Sequence, residues 1–202
     1  SPFLSEQDYK NIQSKAKGYF KSPKKNRKRG SLRSTEEINY IALQIDAILS
    51  RFSVMKVKGD ISFDSLIGYI CDTIAENNEK ALIINKDIQA RERLLTQVFE
   101  QERFALLHCR TKGVLNNTFY IFNPEEEECF TDAYMKKVRS VIVMLMPEGQ
   151  HNDINMKLLG NISSSLISEE SFLINIFQGN EALIRNQLGD ILGDYFERFL
   201  NQ

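Results

Sequence analysis

The segment VRSVIVMLM, residues 138–146, is almost continuously apolar after Ser140 and is followed by Pro147 and Gly149. Such an unbroken apolar run predicts a β-strand that is covered on both faces. Shorter strand patterns occur at residues 52–57, 104–108 and 119–122. Because these strands are mixed with helical patterns and the C-terminal third is helical, we predict an α/β sandwich.

Helical periodicity marks the remaining segments between residue 34 and the C-terminus. Ser34 and Glu37 have capping-box spacing, and Cys71 lies on the apolar stripe of the second predicted helix, which places it in the core. The third helix is predicted to run from Asn85 to about Glu102, with Ile88, Leu95, Val98 and Phe99 facing inward. The predicted N-caps are Ser34, Ser62, Asn85, Asn152 or Asp153, Ser168 and Asn180.

The net charge of −1 hides two oppositely charged parts. Residues 1–34 carry ten Lys/Arg and two Asp/Glu, a net charge of +8, whereas residues 35–202 carry 16 and 25, a net charge of −9. The segment KSPKKNRKRGSLRS, residues 21–34, cannot bury an apolar face, so we interpret it as a solvated linker, with a nucleic-acid contact as the alternative. We therefore expect a basic leader at 1–34, which holds the end of a preceding domain and a linker, and one domain at 35–202.

Composition excludes several classes of protein. With 42% hydrophobic and 26% charged residues, the chain is neither disordered nor of low complexity, and no apolar run reaches the roughly 18–20 residues that cross a bilayer. Cys71, Cys109 and Cys129 form no C-x-x-C pattern, so neither a zinc site nor a disulfide framework is predicted. Free thiols and a polar start without a signal sequence predict a cytoplasmic protein, and the missing initiator Met predicts a fragment of a longer one.

The common motifs for nucleotide binding, serine hydrolysis and zinc proteolysis are absent from the sequence. The acidic run Glu125–Glu128 has four adjacent carboxylates, a spacing that does not let them turn together towards a calcium ion. We interpret this run as a solvated loop, and we expect neither a metal nor a cofactor.

The chain contains two histidines, and both follow predicted strands. His108 ends an apolar run before a Gly-containing loop, and His151 lies five residues after Met146, just before a predicted helix. Sites in α/β proteins lie at such strand exits, and a neutral imidazole can accept a phosphoryl group whose charge Arg110 would offset. Taken singly, each histidine is more simply a structural or surface residue; together, at exits of what can be one sheet, they become candidates for one site.

Three segments resemble one known family. FALLHCRTKGV, residues 104–114, is similar to the active-site strand and loop of the mannitol/fructose-class IIA domains of the bacterial sugar phosphotransferase system. VIVMLMPEGQHNDINMKLLGNISSSLISEE, residues 141–170, resembles the last core strand of that family, its loop with a second histidine, and the following helix. RER, residues 91–93, resembles the Arg-Glu helix end that precedes the family's active strand.

The resemblance implies a mixed-sheet sandwich with helices on both faces. It also implies that His108 is the phosphoacceptor, that His151 is its partner histidine, and that Arg110 with either Arg91 or Arg93 binds the phosphoryl group. The implied protein partners are HPr or a IIB domain, and the family uses no cofactor.

The context Leu107-His108-Cys109 and the strand end MLMPE, residues 144–148, resemble the IIA-like domains at the C-terminus of BglG/PRD-family transcriptional regulators, above all mannitol operon activators (MtlR type). We therefore expect a regulatory domain that is phosphorylated on histidine, rather than a turnover enzyme, and that reports sugar availability to upstream domains of the same chain. DNA would be bound only through those upstream domains, and no membrane contact is expected.

Two alternatives stay open. The chain could be a docking module for a IIB domain that is not itself phosphorylated, as an apolar rim at Phe104, Leu106 and Leu107 would suggest. It could also be a IIA phosphocarrier of a sugar transporter.

Overall fold

The computed structural model describes residues 34–93, 97–149 and 151–202. The strands are β1 (Ser53–Val57), β2 (Gln97–Phe99), β3 (Phe104–Thr111), β4 (Thr118–Pro124) and β5 (Ser140–Pro147). They form a five-stranded sheet in the order β1-β4-β5-β3-β2. The pairs β1–β4 and β3–β5 are parallel, whereas β4–β5 and β2–β3 are antiparallel, so the sheet is mixed.

Helices cover both faces of this sheet, which confirms the predicted sandwich. The helices are α1 (Thr35–Arg51), α2 (Phe63–Ile74), α3 (Asn78–Glu92), α4 (Asn152–Ser168), α5 (Glu170–Gln178) and α6 (Glu181–Asn201), with a short 3-10 helix at Ala133–Met135. The core on one side, here the four-helix face, is built with α1, α4, α5 and α6. The core on the other side, the two-helix face, is built with α2 and α3.

β5 lies at the centre of the sheet, between β3 and β4, and it is buried as its apolar run predicts. Ile142 and Met144 face the four-helix side, whereas Val141, Val143 and Leu145 face the two-helix side, and all five are at most 2% exposed. Each such side chain contributes about 1.5–3 kcal/mol through burial. The central strand therefore joins the two cores.

Helix capping follows the sequence in three places. The Ser34–Glu37 capping box forms, with the Glu37 backbone N–H donating to Ser34 Oγ at 3.1 Å. Ser62 and Asn180 also accept a backbone N–H at the start of α2 and α6.

Other predicted boundaries were wrong. α3 begins after Asn77, which caps it, and not at Asn85; it ends at Glu92, and Val98 and Phe99 belong to β2, while Leu95 lies outside the described residues. The residues at the N-caps of α4 and α5 are His151 and Glu169, and neither side chain makes a capping hydrogen bond. The predicted caps Asn152, Asp153 and Ser168 therefore do not form.

The structure also tests several predictions for single residues and short segments. Cys71 is 1% exposed and lies in the two-helix core, as predicted, and Glu125–Glu128 are exposed. Phe104, Leu106 and Leu107 are at most 5% exposed, so the predicted apolar rim was wrong: both faces of β3 are covered by helices. The basic leader up to residue 33 lies outside the described residues. Within the described part of the chain, no helix is long and apolar enough to span a membrane.

Candidate active site

His108 lies within β3, three residues before its end, and not at the exit of the strand as predicted. Side chains alternate along a strand, and Leu106 on β3 belongs to the four-helix core, so His108 and Arg110 point to that same face. In the parallel pair with β5, His108 lies beside Met144. The imidazole is therefore half-buried in the sheet, near the carboxyl ends of two parallel strands.

Arg91 reaches His108 from the last turn of α3. Its Nη2 lies 3.4 Å from His108 Nε2. Arg93 follows two residues later at the C-cap of the helix and is exposed. Of the two arginines that the sequence left open, the structure therefore brings Arg91 to the imidazole.

The two nitrogens of His108 have different surroundings. Nδ1 is buried and has no hydrogen-bond partner, whereas Nε2 faces the guanidinium of Arg91. Burial, with a smaller contribution from the positive charge of Arg91, holds the pKa of His108 below its usual value of 6.5. The imidazole is therefore neutral at pH 7, and a donor at Nε2 favours the tautomer that carries its proton on Nδ1.

His151 lies at the N-cap of α4, in the loop that follows β5. Its backbone is in the left-handed region, with φ 62° and ψ 30°, which a residue with a side chain adopts at a cost of about 1–2 kcal/mol. The first backbone N–H groups of a 17-residue helix follow directly, and such groups favour anions. An anion bound by these N–H groups would therefore lie next to His151.

The imidazole of His151 is held by α1. The ring of Tyr40 lies against it, with centroids 4.3 Å apart and planes inclined by 30°. Its Nε2 lies 3.8 Å from Glu36 Oε1, also on α1. Among the described residues no hydrogen bond joins His151 to His108; each histidine contacts a different helix.

Arg110 links β3, the strand that carries His108, to α4, the helix that follows His151. It lies two residues after His108 on the same face of β3, and its Nη2 approaches Met156 Sδ on α4 at 2.7 Å. Met156 is five residues after His151, in the second turn of the helix. A thioether is a weak acceptor, so an oxyanion at this place would compete well for the guanidinium.

A surface cleft of about 470 Å³ opens beside His151. It lies between α1, the loop after β3 and the loop after β5, and its lining includes Tyr40 and Glu148. Two leucines of the lining, Leu43 and Leu115, are 54% and 71% exposed. The cleft thus offers apolar surface next to a histidine.

The family model for the phosphoenolpyruvate-dependent sugar phosphotransferase system, EIIA 2, matches residues 53–188. This chain belongs to the EIIA 2 family. The match spans β1 to the first third of α6, so it includes both histidines of this EIIA 2 domain and leaves α1 outside.

The EIIA 2 domain is also similar to a solved structure, that of the nitrogen regulatory protein IIA-Ntr from Neisseria meningitidis. The two share 19% sequence identity with a TM-score of 0.52, over 74% of this chain and 99% of that chain. At this identity the likeness shows the fold. No curated protein compared with this chain matches it significantly.

Sequence reasoning missed Tyr40 and Glu36 as neighbours of His151. Both lie on the helix that begins at the Ser34–Glu37 capping box, more than 100 positions before His151 in the sequence. Their proximity to His151 depends on how α1 packs across the sheet. No local pattern reports that packing.

Proposed function

We propose that this EIIA 2 chain accepts a phosphoryl group on His108 and acts as the regulatory IIA-like domain of a sugar-operon transcriptional regulator. The observation that carries the proposal is the contrast between the nitrogens of His108: Nδ1 is buried, whereas Nε2 lies beside Arg91. A neutral imidazole with a lone pair on the nitrogen that faces a cation is a suitable nucleophile for a phosphoryl group.

The proposed transfer takes place at Nε2. The donor is HPr, or a IIB domain, phosphorylated on its own side chain. The donor's bond to phosphorus breaks and its electron pair stays on the donor, while the lone pair of His108 Nε2 forms the new N–P bond. The proton on Nδ1 stays in place, so no base is needed.

Most of the rate enhancement of such a transfer comes from positioning of the groups and from stabilisation of charge. Arg91 lies beside Nε2 and would pair with the incoming phosphoryl oxygens once it has helped to keep the imidazole neutral. Arg110 would leave the thioether of Met156 for the same oxygens. His151, at the start of α4, would donate a hydrogen bond to the group from the other side.

The regulatory context is the finer part of the proposal. The resemblance of the context Leu107-His108-Cys109 and of the strand end, residues 144–148, to mannitol operon activators supports it. The +8 charge of residues 1–34 also supports it, because it suits a linker to a preceding IIB-like domain. Phosphorylation would then report sugar availability to upstream domains. A gene sequence that encodes a IIB-like domain and duplicated regulatory domains before residue 1 would support this, and an EIIC transporter domain there would contradict it.

Phosphorylation is tested with the 202-residue chain, phosphoenolpyruvate, enzyme I and HPr. Intact-mass spectrometry is expected to show one added phosphoryl group on the wild type and on His151→Ala at a slower rate, and none on His108→Ala. NMR of the product is expected to show an Nε2-phosphohistidine, because Nδ1 is buried. No added mass on the wild type, or an unchanged gain in His108→Ala, contradicts the proposal.

A docking module without phosphorylation is the second candidate, and the exposed Leu43 and Leu115 beside His151 favour it. Binding of a IIB domain that is lost in Leu115→Ser but unchanged in His108→Ala, together with no phosphorylation of the wild type, would support this candidate over the first.

A further inference from the structure

A chain of buried amides links α1 to the start of α4. Gln44 on α1, Asn117 before β4 and Asn155 on α4 are each 1% exposed, far more buried than such residues usually are. Gln44 Oε1 accepts from the Asn117 side-chain Nδ2 at 2.9 Å, and Asn155 Oδ1 accepts from the same Nδ2 at 2.7 Å. Asn155 Oδ1 also accepts from the hydroxyl of Tyr40 at 2.8 Å.

The direction of these hydrogen bonds is set by the backbone. The N–H of Asn117 can only donate, and it donates to Gln44 Oε1 at 2.7 Å. This fixes the oxygen of Gln44 towards Asn117, whose Nδ2 must then donate to Asn155 Oδ1. A flip of any one amide would place two donors or two acceptors against each other.

Tyr40 is therefore at the end of a polarised chain. Because the amide oxygen of Asn155 can only accept, the hydroxyl of Tyr40 donates to it, and burial raises the pKa of Tyr40 above its usual value of 10.0. A hydroxyl anchored at 2.8 Å fixes the position of the ring, and the face of that ring lies on His151. The same helix places Glu36 3.8 Å from His151 Nε2.

We propose that Tyr40 is a positioning residue for His151, which it holds in the orientation that lets this imidazole reach a phosphoryl group on His108. The inference rests on the proposed function. α1 lies before residue 53, where the family match begins, so the chain controls its partner histidine from outside the matched segment. The strained backbone of His151 fits this role, because a residue with φ 62° persists only where its surroundings hold it.

The contact is tested first without phosphorylation. In NMR spectra of the unphosphorylated 202-residue chain, the ring current of Tyr40 shields the ring protons of His151. These protons are expected to move downfield in Tyr40→Leu. They should move less in Tyr40→Phe, which keeps the ring but loses its hydrogen bond to Asn155. They should stay in place in the control Tyr134→Leu, which changes a tyrosine in the 3-10 helix. Unchanged His151 signals in Tyr40→Leu would overturn the contact.

The consequence is tested by a double-mutant cycle on the rate of phosphoryl transfer from phosphorylated HPr. Tyr40→Leu is expected to be roughly tenfold slower than wild type, less than the roughly 100-fold that a misplacement of about 1 Å can cost. Tyr40→Phe should recover part of the rate, since it keeps the ring but loses the hydrogen bond that anchors it. In the His151→Ala background, Tyr40→Leu should cause no further loss, because Tyr40 acts through His151.

The outcomes separate the two proposals. The positioning role is wrong if Tyr40→Leu lowers the transfer rate of the His151→Ala variant by the same factor as that of the wild type. It is also wrong if Tyr40→Leu leaves the transfer rate of the wild type unchanged. If the wild type takes up no phosphoryl group while the NMR result holds, the proposed function fails and the contact stands. Should Tyr40→Leu fail to fold, Tyr40→Met, with its flexible side chain, replaces it in the cycle.

Discussion

His108 combines two properties that oppose each other in water. It is neutral, and it lies beside a permanent cation, which in the proposed transfer would bind the phosphoryl group. In solution an imidazole keeps a pKa near 6.5 and is partly protonated at slightly acid pH. Burial and Arg91 reduce that fraction, and in the proposed transfer the same guanidinium would bind the phosphoryl group.

Replacement of Arg91 tests this double role. In Arg91→Gln the loss of the nearby charge should raise the pKa of His108, so the acid limb of the pH–rate profile for phosphorylation should move upward, towards pH 6.5. The shift should be partial, because burial is the larger cause, and the plateau rate should fall roughly 100-fold, as for loss of one charge-stabilising donor.

Arg93→Gln is the matched control, since Arg93 is exposed at the C-cap of the same helix. Its profile should coincide with that of the wild type. Equal effects of the two substitutions would show that general positive charge, rather than the Arg91 contact, is responsible.

Stability should depend on pH through the same residue. The folded chain holds the pKa of His108 below 6.5, so between these two values the unfolded chain binds more protons. The free energy of unfolding should therefore fall as the pH is lowered from 6.5 through the folded pKa. Urea unfolding of His108→Gln should show a smaller fall than the wild type over this range, and parallel curves would contradict the assignment.

At this scale, the sequence identifies the candidate residues better than their surroundings. Both histidines could be named as candidates from their residue type and the family resemblance, whereas the choice between Arg91 and Arg93 stayed open until the structure placed Arg91 beside His108. The depth of His108 in its strand could not be predicted, since the apolar run ends at Leu107 and no local pattern shows that the strand continues to Thr111. The residues after His108 extend β3 because β5 runs beside them and offers hydrogen bonds up to Pro147.

Among the elements, α3 and β2 show where local patterns fail. Residues 97–99 fit an apolar helical stripe, yet they form a strand, because they pair with Phe104, Ala105 and Leu106 of β3. Tertiary pairing overrides a weak helical preference in a three-residue segment. By contrast, the caps at Ser34, Ser62 and Asn180 were predictable, since each rests on hydrogen bonds between residues three positions apart.

The turn after β3 has a glycine for a packing reason. A Cβ on Gly113 would collide with the side chain of Ile84 and lie 3.1 Å from the backbone oxygen of Lys80, both on α3. Gly113→Ala should destabilise the fold by about 1–3 kcal/mol, the usual cost of overpacking. Thermal or urea unfolding measures this.

Gly189→Ala in α6 is the control for that change. Nothing lies within 4 Å of a Cβ at this position, and alanine is the better helix former, so the variant should gain about 0.5–1 kcal/mol. A similar loss in both variants would mean that chain flexibility, and not the contact with α3, is responsible.

On the scale of the whole molecule, α1 belongs to the folded unit although the family match begins after it. Ile41, Ile45, Ile48 and Leu49 are at most 3% exposed in the four-helix core. At about 1.5–3 kcal/mol each, their burial is comparable with the whole stability of a domain, about 5–15 kcal/mol.

Truncation before α1 should therefore leave the protein folded, whereas truncation after α1 should prevent folding. Residues 34–202 should unfold cooperatively with a midpoint close to that of the full chain, whereas residues 53–202 should not fold. Circular dichroism during heating distinguishes them. A folded 53–202 fragment would show that α1 is an accessory, and it would remove the support for control of His151 from this helix.

The three buried thiols can be used to measure how often the folded protein opens locally. Cys71 and Cys109 lie in the two-helix core, where burial raises the pKa of both to about 12. At pH 7 only about one such thiol in 10⁵ is a thiolate, the form that reacts with alkylating reagents. Labelling of Cys109 therefore requires the layer of α2 and α3 to open. Its rate measures how often this layer opens next to His108, and no engineered probe is needed. A docked partner or a phosphoryl group that tightens this layer would be visible as slower labelling.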